Sequence, residues 1–420
     1  MRLIYLSNER FPSRDAVSIQ QMQNLEAFGR TSLDITFLRP YFIELAKYSN
    51  DEICDFYGVA KNFEIITLPS LLSLSKPTYG VDMGYDTFGK RKKKVPFIGG
   101  FSLMLATWIY IVREWAKDKF YNPTIIYSRN LNAAYVFVRF RERWFKNRKM
   151  RIFVEAHALS QKPEHYYDYI IQHCDGIVSI TQSLKNALVE KYGLDQKDIL
   201  VAPDGVKSSW LQNEKLNKRE IRKKLQIPDI YQKVVVYTGG FSPGKGVEIL
   251  IQAAAEFDEK VMFYLLGGAP RTIKEVQQMT KSDQYNNVHF AGFIPPRDIA
   301  LYQAAADVLI LPNTPDYSLR DYTSPLKLFE YMASERPIVA SDLPVFREVL
   351  RHQENCLLVP PGDPHALAEG IRRFFSDKAL ATRTSHRARV EVEKYTWDAR
   401  VQKIMGFIEQ KTGWEISSEE

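Results

Sequence analysis

Short apolar runs alternate with longer amphipathic ones along this chain, the pattern of parallel β/α units. In the first half, strands are predicted at 2–7, 34–40, 63–69, 124–129, 150–157, 176–181 and 199–203. Helices are predicted between them at 17–28, 131–145 and 182–192. The alternation breaks at 70–96, whose Pro, Gly, Ser and Lys content reads as a surface insertion leading into an apolar stretch, 97–112. It restarts after a charged, linker-like segment, 213–224, with strands at 234–238, 261–266, 288–293, 308–312, 338–341 and 357–360. The expected fold class is α/β, two doubly wound Rossmann-like domains at 1–207 and 208–394 facing each other across a cleft. A ligand belongs at the C-terminal ends of such strands.

Two lysines stand where that reading puts a ligand. In Ser324-Pro325-Leu326-Lys327-Leu328-Phe329-Glu330, Ser324 is suited to N-cap and Pro325 to N1, which puts Lys327 near N3 of a helix. A cation there opposes the helix dipole at a cost of about 0.3–1 kcal/mol, so an anion is the expected companion. The second is Lys245, in the glycine-rich turn Gly239-Gly240-Phe241-Ser242-Pro243-Gly244-Lys245-Gly246 between an apolar β-branched run and a helical pattern. Strand, glycine turn, lysine and helix start together suit close approach of backbone N–H groups to a phosphate. Two such sites in one half of the chain suggest a diphosphate.

Composition narrows the classes. With 420 residues, 45% hydrophobic and 25% charged, the chain is a folded protein long enough for two or three domains. A formal charge of +7 and a pI of about 9.0 favour anionic partners. Nucleic acid is not expected among them, because no aromatic-interleaved basic module accompanies the charge. The three cysteines, Cys54, Cys174 and Cys356, have no metal-ligand spacing and read as core thiols of a reducing compartment. The apolar run Leu3–Leu6 is too short for a secretory h-region, and 97–112 is shorter than the ~20 residues that span a bilayer. That stretch is expected to be a buried or interfacial helix. The basic run Lys90-Arg91-Lys92-Lys93-Lys94 before it reads as a solvated loop or as an attraction for anionic headgroups.

The ordered pieces of the C-terminal half carry a family resemblance: the glycine turn, Leu266-Gly267-Gly268, Val288-His289-Phe290-Ala291-Gly292-Phe293, and Ser324 to Ala333 followed by Arg336-Pro337-Ile338-Val339-Ala340. The chain resembles the group-1 glycosyltransferases, GT-B fold enzymes also called family 4. The N-terminal half matches more loosely, through Phe153-Val154-Glu155-Ala156-His157, Asp175 to Thr181 and Val201 to Val206. The resemblance implies transfer of a sugar from a nucleotide-diphosphate donor, with retention and without a bound metal, to a glycan or lipid-linked acceptor in cell-surface glycan or glycolipid synthesis. It also implies that 395–420 crosses back to the first domain. The expected location is cytoplasmic, with peripheral docking on an anionic membrane surface as a further expectation.

The same resemblance assigns roles. His157, Lys245 and Lys327 are the expected catalytic residues, and His157 hydrogen-bonds the donor sugar. Gly239, Gly240, Thr323, Ser324, Pro325, Leu326 and Glu330 bind the donor, Glu330 accepting two ribose hydroxyls. Backbone around Phe293 and Ile294 meets the base. Ser13, Arg14 and Ser18 form a donor or acceptor loop that lacks the family's glycine pair. No cofactor and no metal are expected, and independently the chain contains no Asp-x-Asp pair. Charge on the departing diphosphate then falls to lysines, amides and helix dipoles.

The pattern departs from the family twice. The first of two glutamates eight positions apart would stand at Tyr322, leaving its place to a neighbour such as Asp321 or Asp316; the family's arginine next to the glycine is Gly240 here. Loss of the first glutamate accompanies the Ser-Pro-x-Lys form of the motif in family relatives. Bland alternatives stand beside each role: a solvated Lys245, a surface ion pair between Lys327 and Glu330, a structural His157, and Ser324 as a simple cap. A nucleotide-sugar-binding scaffold without turnover and a sugar-nucleotide epimerase are the competing functions.

Overall fold

A computed structural model describes residues 1–71, 98–117, 122–144, 149–159, 165–211, 217–281, 286–315 and 322–416. The chain forms two compact units. One holds residues up to 203 together with those from 397 onward, and the other holds 204–396.

The first unit is built on a seven-stranded sheet ordered β3-β2-β1-β4-β5-β6-β7. Its strands are β1 Arg2–Leu6, β2 Asp34–Pro40, β3 Glu64–Leu68, β4 Thr124–Ser128, β5 Met150–Ala156, β6 Gly176–Ser179 and β7 Ile199–Val201. Every pairing is parallel. Parallel strands covered on both faces read as unbroken apolar runs, and Leu3, Ile4, Tyr5 and Leu6 of β1 are all buried. The core is aromatic: Tyr5 meets Phe28, Phe37 and Tyr127 at ring-centroid distances of 6.4, 6.0 and 5.3 Å. Helix α1 (Ala16–Phe28) follows β1, α2 (Ile98–Ala116) precedes β4, and α3 (Leu131–Trp144) follows it.

The second unit repeats the plan with six parallel strands ordered β10-β9-β8-β11-β12-β13. They are β8 Lys233–Thr238, β9 Val261–Leu266, β10 Val288–Gly292, β11 Val308–Leu311, β12 Ile338–Ser341 and β13 Leu357–Val359. Alternate side chains of β8 feed opposite faces. Val234 and Val236 join one apolar cluster, and Val235 and Tyr237 join the other. Helix α4 (Val247–Ala254) covers the face of Val235, while α5 (Pro296–Ala305) and α6 (Leu326–Ala333) cover the face of Val236. The strand order reverses between β8 and β11, so the segments leaving these two strands flank the topological switch point of this sheet.

One expectation changes. The linker-like segment is partly helix. Asn217 caps Lys218–Lys224, Ile221 is buried, and Lys218 and Arg222 both bind Asp307, at 2.5 and 2.6 Å. A charged run that reads as a linker is thus folded onto the second unit by one carboxylate. The apolar stretch is amphipathic in an unusual sense: α2 buries Leu103, Ala106, Tyr110 and Ile111 while its other side exposes Phe101 (66%), Leu105, Trp108, Ile109 (53%) and Trp115. Helix α7 (Trp397–Thr412) belongs to the first unit, where Arg400 pairs with Glu155 at 3.0 Å. Among the described residues no helix is long and apolar enough to cross a membrane. Cys54 and Cys356 are buried free thiols, and burial pushes Cys356 up to about 12. The insertion from 72 onward, with Lys90–Lys94, and Lys215 lie outside the described residues.

Candidate functional site

The site in the second unit grows from the ends of β8 and β11. Beyond Thr238, Gly239 takes φ +137°, and a Cβ there would lie 3.1 Å from Lys327 Nζ and 3.3 Å from the Tyr237 hydroxyl. A side chain is therefore crowded and strained at the point where strand and lysine converge. Gly240 borders open space instead, and its carbonyl accepts a 2.8 Å hydrogen bond from the Tyr237 hydroxyl. Gly246, at φ +71°, starts α4; a Cβ there would come within 1.8 Å of the Pro312 carbonyl oxygen. The Thr314 N–H donates to the Gly244 carbonyl at 3.1 Å, tying the segment after β11 to the turn after β8. Gly267, at φ +113°, brings the neighbouring turn against Gly239, since a Cβ would lie 2.1 Å from the Gly239 carbonyl oxygen.

Lys327 comes from α6. The structure corrects its cap: Pro325 is N-cap with no side-chain hydrogen bond, Leu326 is the first helical residue and Lys327 the second. Ser324 is buried, and its hydroxyl accepts the Asp204 N–H at 3.0 Å, so it anchors the preceding turn rather than capping the helix. The helix is held to β8 by Tyr331, whose hydroxyl accepts the Thr238 N–H at 2.8 Å. Lys327 Nζ lies 3.9 Å from the centroid of the Tyr237 ring, a cation–π distance, and is buried with no hydrogen-bond partner. Burial first, and Lys245 next, hold this amine well below the usual lysine range against the pull of Glu330.

Glu330 does not close an ion pair with Lys327. Its Oε2 accepts from Gln303 Nε2 at 3.1 Å, and burial lifts the carboxyl to about 7 despite that bond and Lys327. Gln303, on α5, is fully buried, and its own carbonyl oxygen has no partner. Asn313, just after β11, likewise carries a buried, unpartnered Oδ1. The sequence reading missed both, and no local motif marks either one. Tyr322, Thr323 and Pro325 are partly exposed ahead of α6, as is Leu326 at its first position. Asp316 and Asp321 lie outside the described residues. Phe293 and Ile294 follow β10, half-buried, with Ile294 packed on the core beneath α5 and α6.

The first unit has its own polar centre. His157 follows β5, and its Nε2 lies 2.6 Å from Glu155 Oε1. Burial and the positive charge of Arg129 push the imidazole down to about 4 although Glu155 pulls the other way. Glu155 gathers Gln20, Tyr127 and Arg400 as well. Glu155 sits in the quoted strand, but its partners come from α1, β4 and α7. In the loop after β1, the Ser13 N–H donates to the Tyr57 hydroxyl at 2.6 Å and its own hydroxyl to Asp15 at 2.8 Å. Arg14 is partly exposed. Ser18 is fully buried and spends its hydroxyl on the Arg10 carbonyl at 3.1 Å, which leaves it no surface for a ligand.

Comparison with known proteins fits this geometry. Residues 232–377 match the family described as "Glycosyl transferases group 1". The D-inositol 3-phosphate glycosyltransferase of Xylanimonas cellulosilytica is 25% identical over 253 residues, covering 58% of this chain and 59% of that protein. The phosphatidyl-myo-inositol mannosyltransferase of Mycobacterium leprae is 30% identical over 177 residues, 41% of this chain and 45% of the relative. The alignments thus span little more than half of these relatives at most. The crystal structure of Anabaena Alr3699/HepE in complex with UDP superposes with a TM-score of 0.70 at 18% identity, covering 98% of this chain and all of that one. The switch-point glycines and lysines lie inside the matched domain, and the two-unit fold is shared over nearly the full length. On those grounds residues 232–377 form a domain of the group-1 glycosyltransferase family, in a chain with the GT-B fold.

Proposed function

We propose that the protein transfers a sugar from a nucleotide-diphosphate donor to an acceptor in cell-surface glycan or glycolipid synthesis, with retention and without a metal. The observation that carries the reading is Lys327: a buried amine without a hydrogen-bond acceptor, at the switch point of a doubly wound sheet. A group so placed is costly unless an anion completes it. With a diphosphate bound, Lys327 and Lys245 neutralise charge that grows as the bond from the anomeric carbon to the phosphate oxygen breaks. The acceptor oxygen then bonds to that carbon and gives up its proton. Glu330 offers its carboxylate oxygens to ribose hydroxyls, which favour the ionised form that burial disfavours. His157 contacts the donor sugar. The absence of an Asp-x-Asp pair supports metal independence, and retention follows from the family resemblance. UDP in the Anabaena structure supports a nucleotide donor, and the inositol-lipid name of the Mycobacterium relative supports a lipid-linked acceptor at an anionic membrane surface.

Thermal-shift titration with UDP-, GDP- and ADP-sugars tests this. One series is expected to stabilise the protein, and Lys245→Ala or Glu330→Ala to weaken that hit about tenfold or more, the scale of a lost charged contact. Absence of any nucleotide-dependent shift removes the reading. Binding without turnover on any acceptor favours the inactive scaffold that Tyr322 suggests, and turnover of the donor alone to another sugar nucleotide favours an epimerase.

A further inference from the structure

Behind His157 lies a buried charge cluster that donor binding alone does not explain. Glu155 is 1% exposed, and Gln20, Tyr127 and Arg400 each turn a donor group toward it. Oε1 receives Gln20 Nε2 at 2.6 Å and lies 3.0 Å from Arg400 Nη2; Oε2 receives the Tyr127 hydroxyl at 2.5 Å. Arg400 is itself held at Nε and Nη1. Its Nε donates to the carbonyls of Ala202 and Pro203 at 3.3 and 3.1 Å, and its Nη1 to Asn24 Oδ1 at 2.8 Å.

We infer that Arg400 is a positioning residue: through Glu155 it holds His157 as the neutral Nε2–H tautomer, leaving Nδ1 as the imidazole's hydrogen-bond acceptor. The inference rests on the reading of His157 as a sugar contact. A guanidinium carries only N–H groups, so the carboxylate beside it is acceptor-only, and the 2.6 Å contact requires the proton on His157 Nε2. The opposite arrangement, a protonated Glu155 donating to the imidazole, would leave the Arg400 charge buried without a counter-charge. The charged groups facing His157 are Glu155 on the preceding strand, Arg129 from the segment after β4 and Arg400 from α7. Arg129 also donates to Gln20 Oε1 at 3.0 Å, joining the cluster by a second route. Glu155 and Arg400 cancel, so a proton on His157 would face Arg129 uncompensated. The imidazole stays neutral down to about pH 4 for that reason and because it is buried. The atom that meets Nδ1 must therefore be a donor such as a sugar hydroxyl, and an oxyanion is rejected there.

Long-range proton–nitrogen NMR on the full-length protein with labelled histidine tests this without any reaction, His157→Gln identifying the signal. The expected wild-type pattern is the Nε2–H tautomer, unchanged from pH 8 to pH 5. Arg400→Met is expected to mix the tautomers; Arg400→Lys, which keeps charge but not the fork, is expected to do so in part. Should Arg400→Met fail to fold, Glu155→Gln answers the same question, since its amide no longer demands a donor at Nε2. An Nδ1–H wild-type pattern, ordinary titration near 6.5, or unchanged spectra in the variants overturn the inference. Calorimetry adds a functional arm, in which Arg400→Met costs affinity for UDP-glucose about tenfold more than affinity for UDP. A wild-type protein that binds neither sinks the donor reading, while the spectrum still decides the tautomer.

Discussion

Lys327 and Glu330 are held in opposite protonation trends, and burial is the largest cause in both. Lys327 is disfavoured as a cation by burial and by Lys245, and Glu330 is disfavoured as an anion by burial. Replacing a buried charge with an apolar chain of similar length is often stabilising. Lys327→Met is therefore expected to raise the midpoint of thermal unfolding by a few degrees, on the order of 1–2 kcal/mol, while abolishing the nucleotide-dependent shift. A lower midpoint would show that the amine is already satisfied. For Glu330 the sign follows from linkage: a carboxyl at about 7 in the folded state and 4.5 unfolded binds more protons when folded between those values. Its contribution is fully present below pH 4.5 and is lost as pH rises through 7. Denaturant titrations from pH 4.5 to 8 are expected to show that loss in the wild type and a flatter profile in Glu330→Gln.

At the scale of elements, the two switch-point segments are joined by backbone packed too closely for any side chain. Gly246 is the tightest of these contacts, with the Pro312 carbonyl in the space of a Cβ and φ at +71°. Gly246→Ala is expected to destabilise the second domain by about 2 kcal/mol or more, whereas Gly240→Ala, with nothing within 4 Å, is expected to leave its melting unchanged. Equal effects would refute the contact. The strands and both glycine turns were legible because parallel strands buried on two faces write long apolar runs, and turns with positive φ write glycine. The cap was not. Ser324 has the right chemistry for an N-cap, but Asp204, 120 residues earlier in the chain, claims its hydroxyl. Gln303 and Arg400 were invisible for the same reason, since each acquires its meaning from a partner that only the topology supplies: Glu330 across two helices, and Glu155 across most of the chain. The short helix after Asn217 was hidden by its charge, which looks solvated until Asp307 is placed beneath it.

For the whole molecule, the exposed side of α2 is the feature that reaches beyond the two domains. Phe101, Leu105, Trp108, Ile109 and Trp115 fall on one stripe at helical spacing, with Arg113 and Lys117 exposed at its end and Trp144 exposed on the adjoining α3. Aromatic and apolar side chains bordered by cations suit the headgroup region of an anionic bilayer. Flotation with vesicles is expected to recover the protein with acidic lipid and not with neutral lipid, and Phe101→Glu combined with Ile109→Glu to reduce recovery about tenfold. Equal recovery from both vesicle types would remove the membrane from the proposal.

Helix α7 has a consequence for how the protein is made. The first domain includes a helix that follows the whole of the second domain in the chain. Assembly thus cannot proceed in chain order. The first domain is completed only after the second has been synthesised, and until residue 400 emerges Glu155 waits in a half-built interior for its cation.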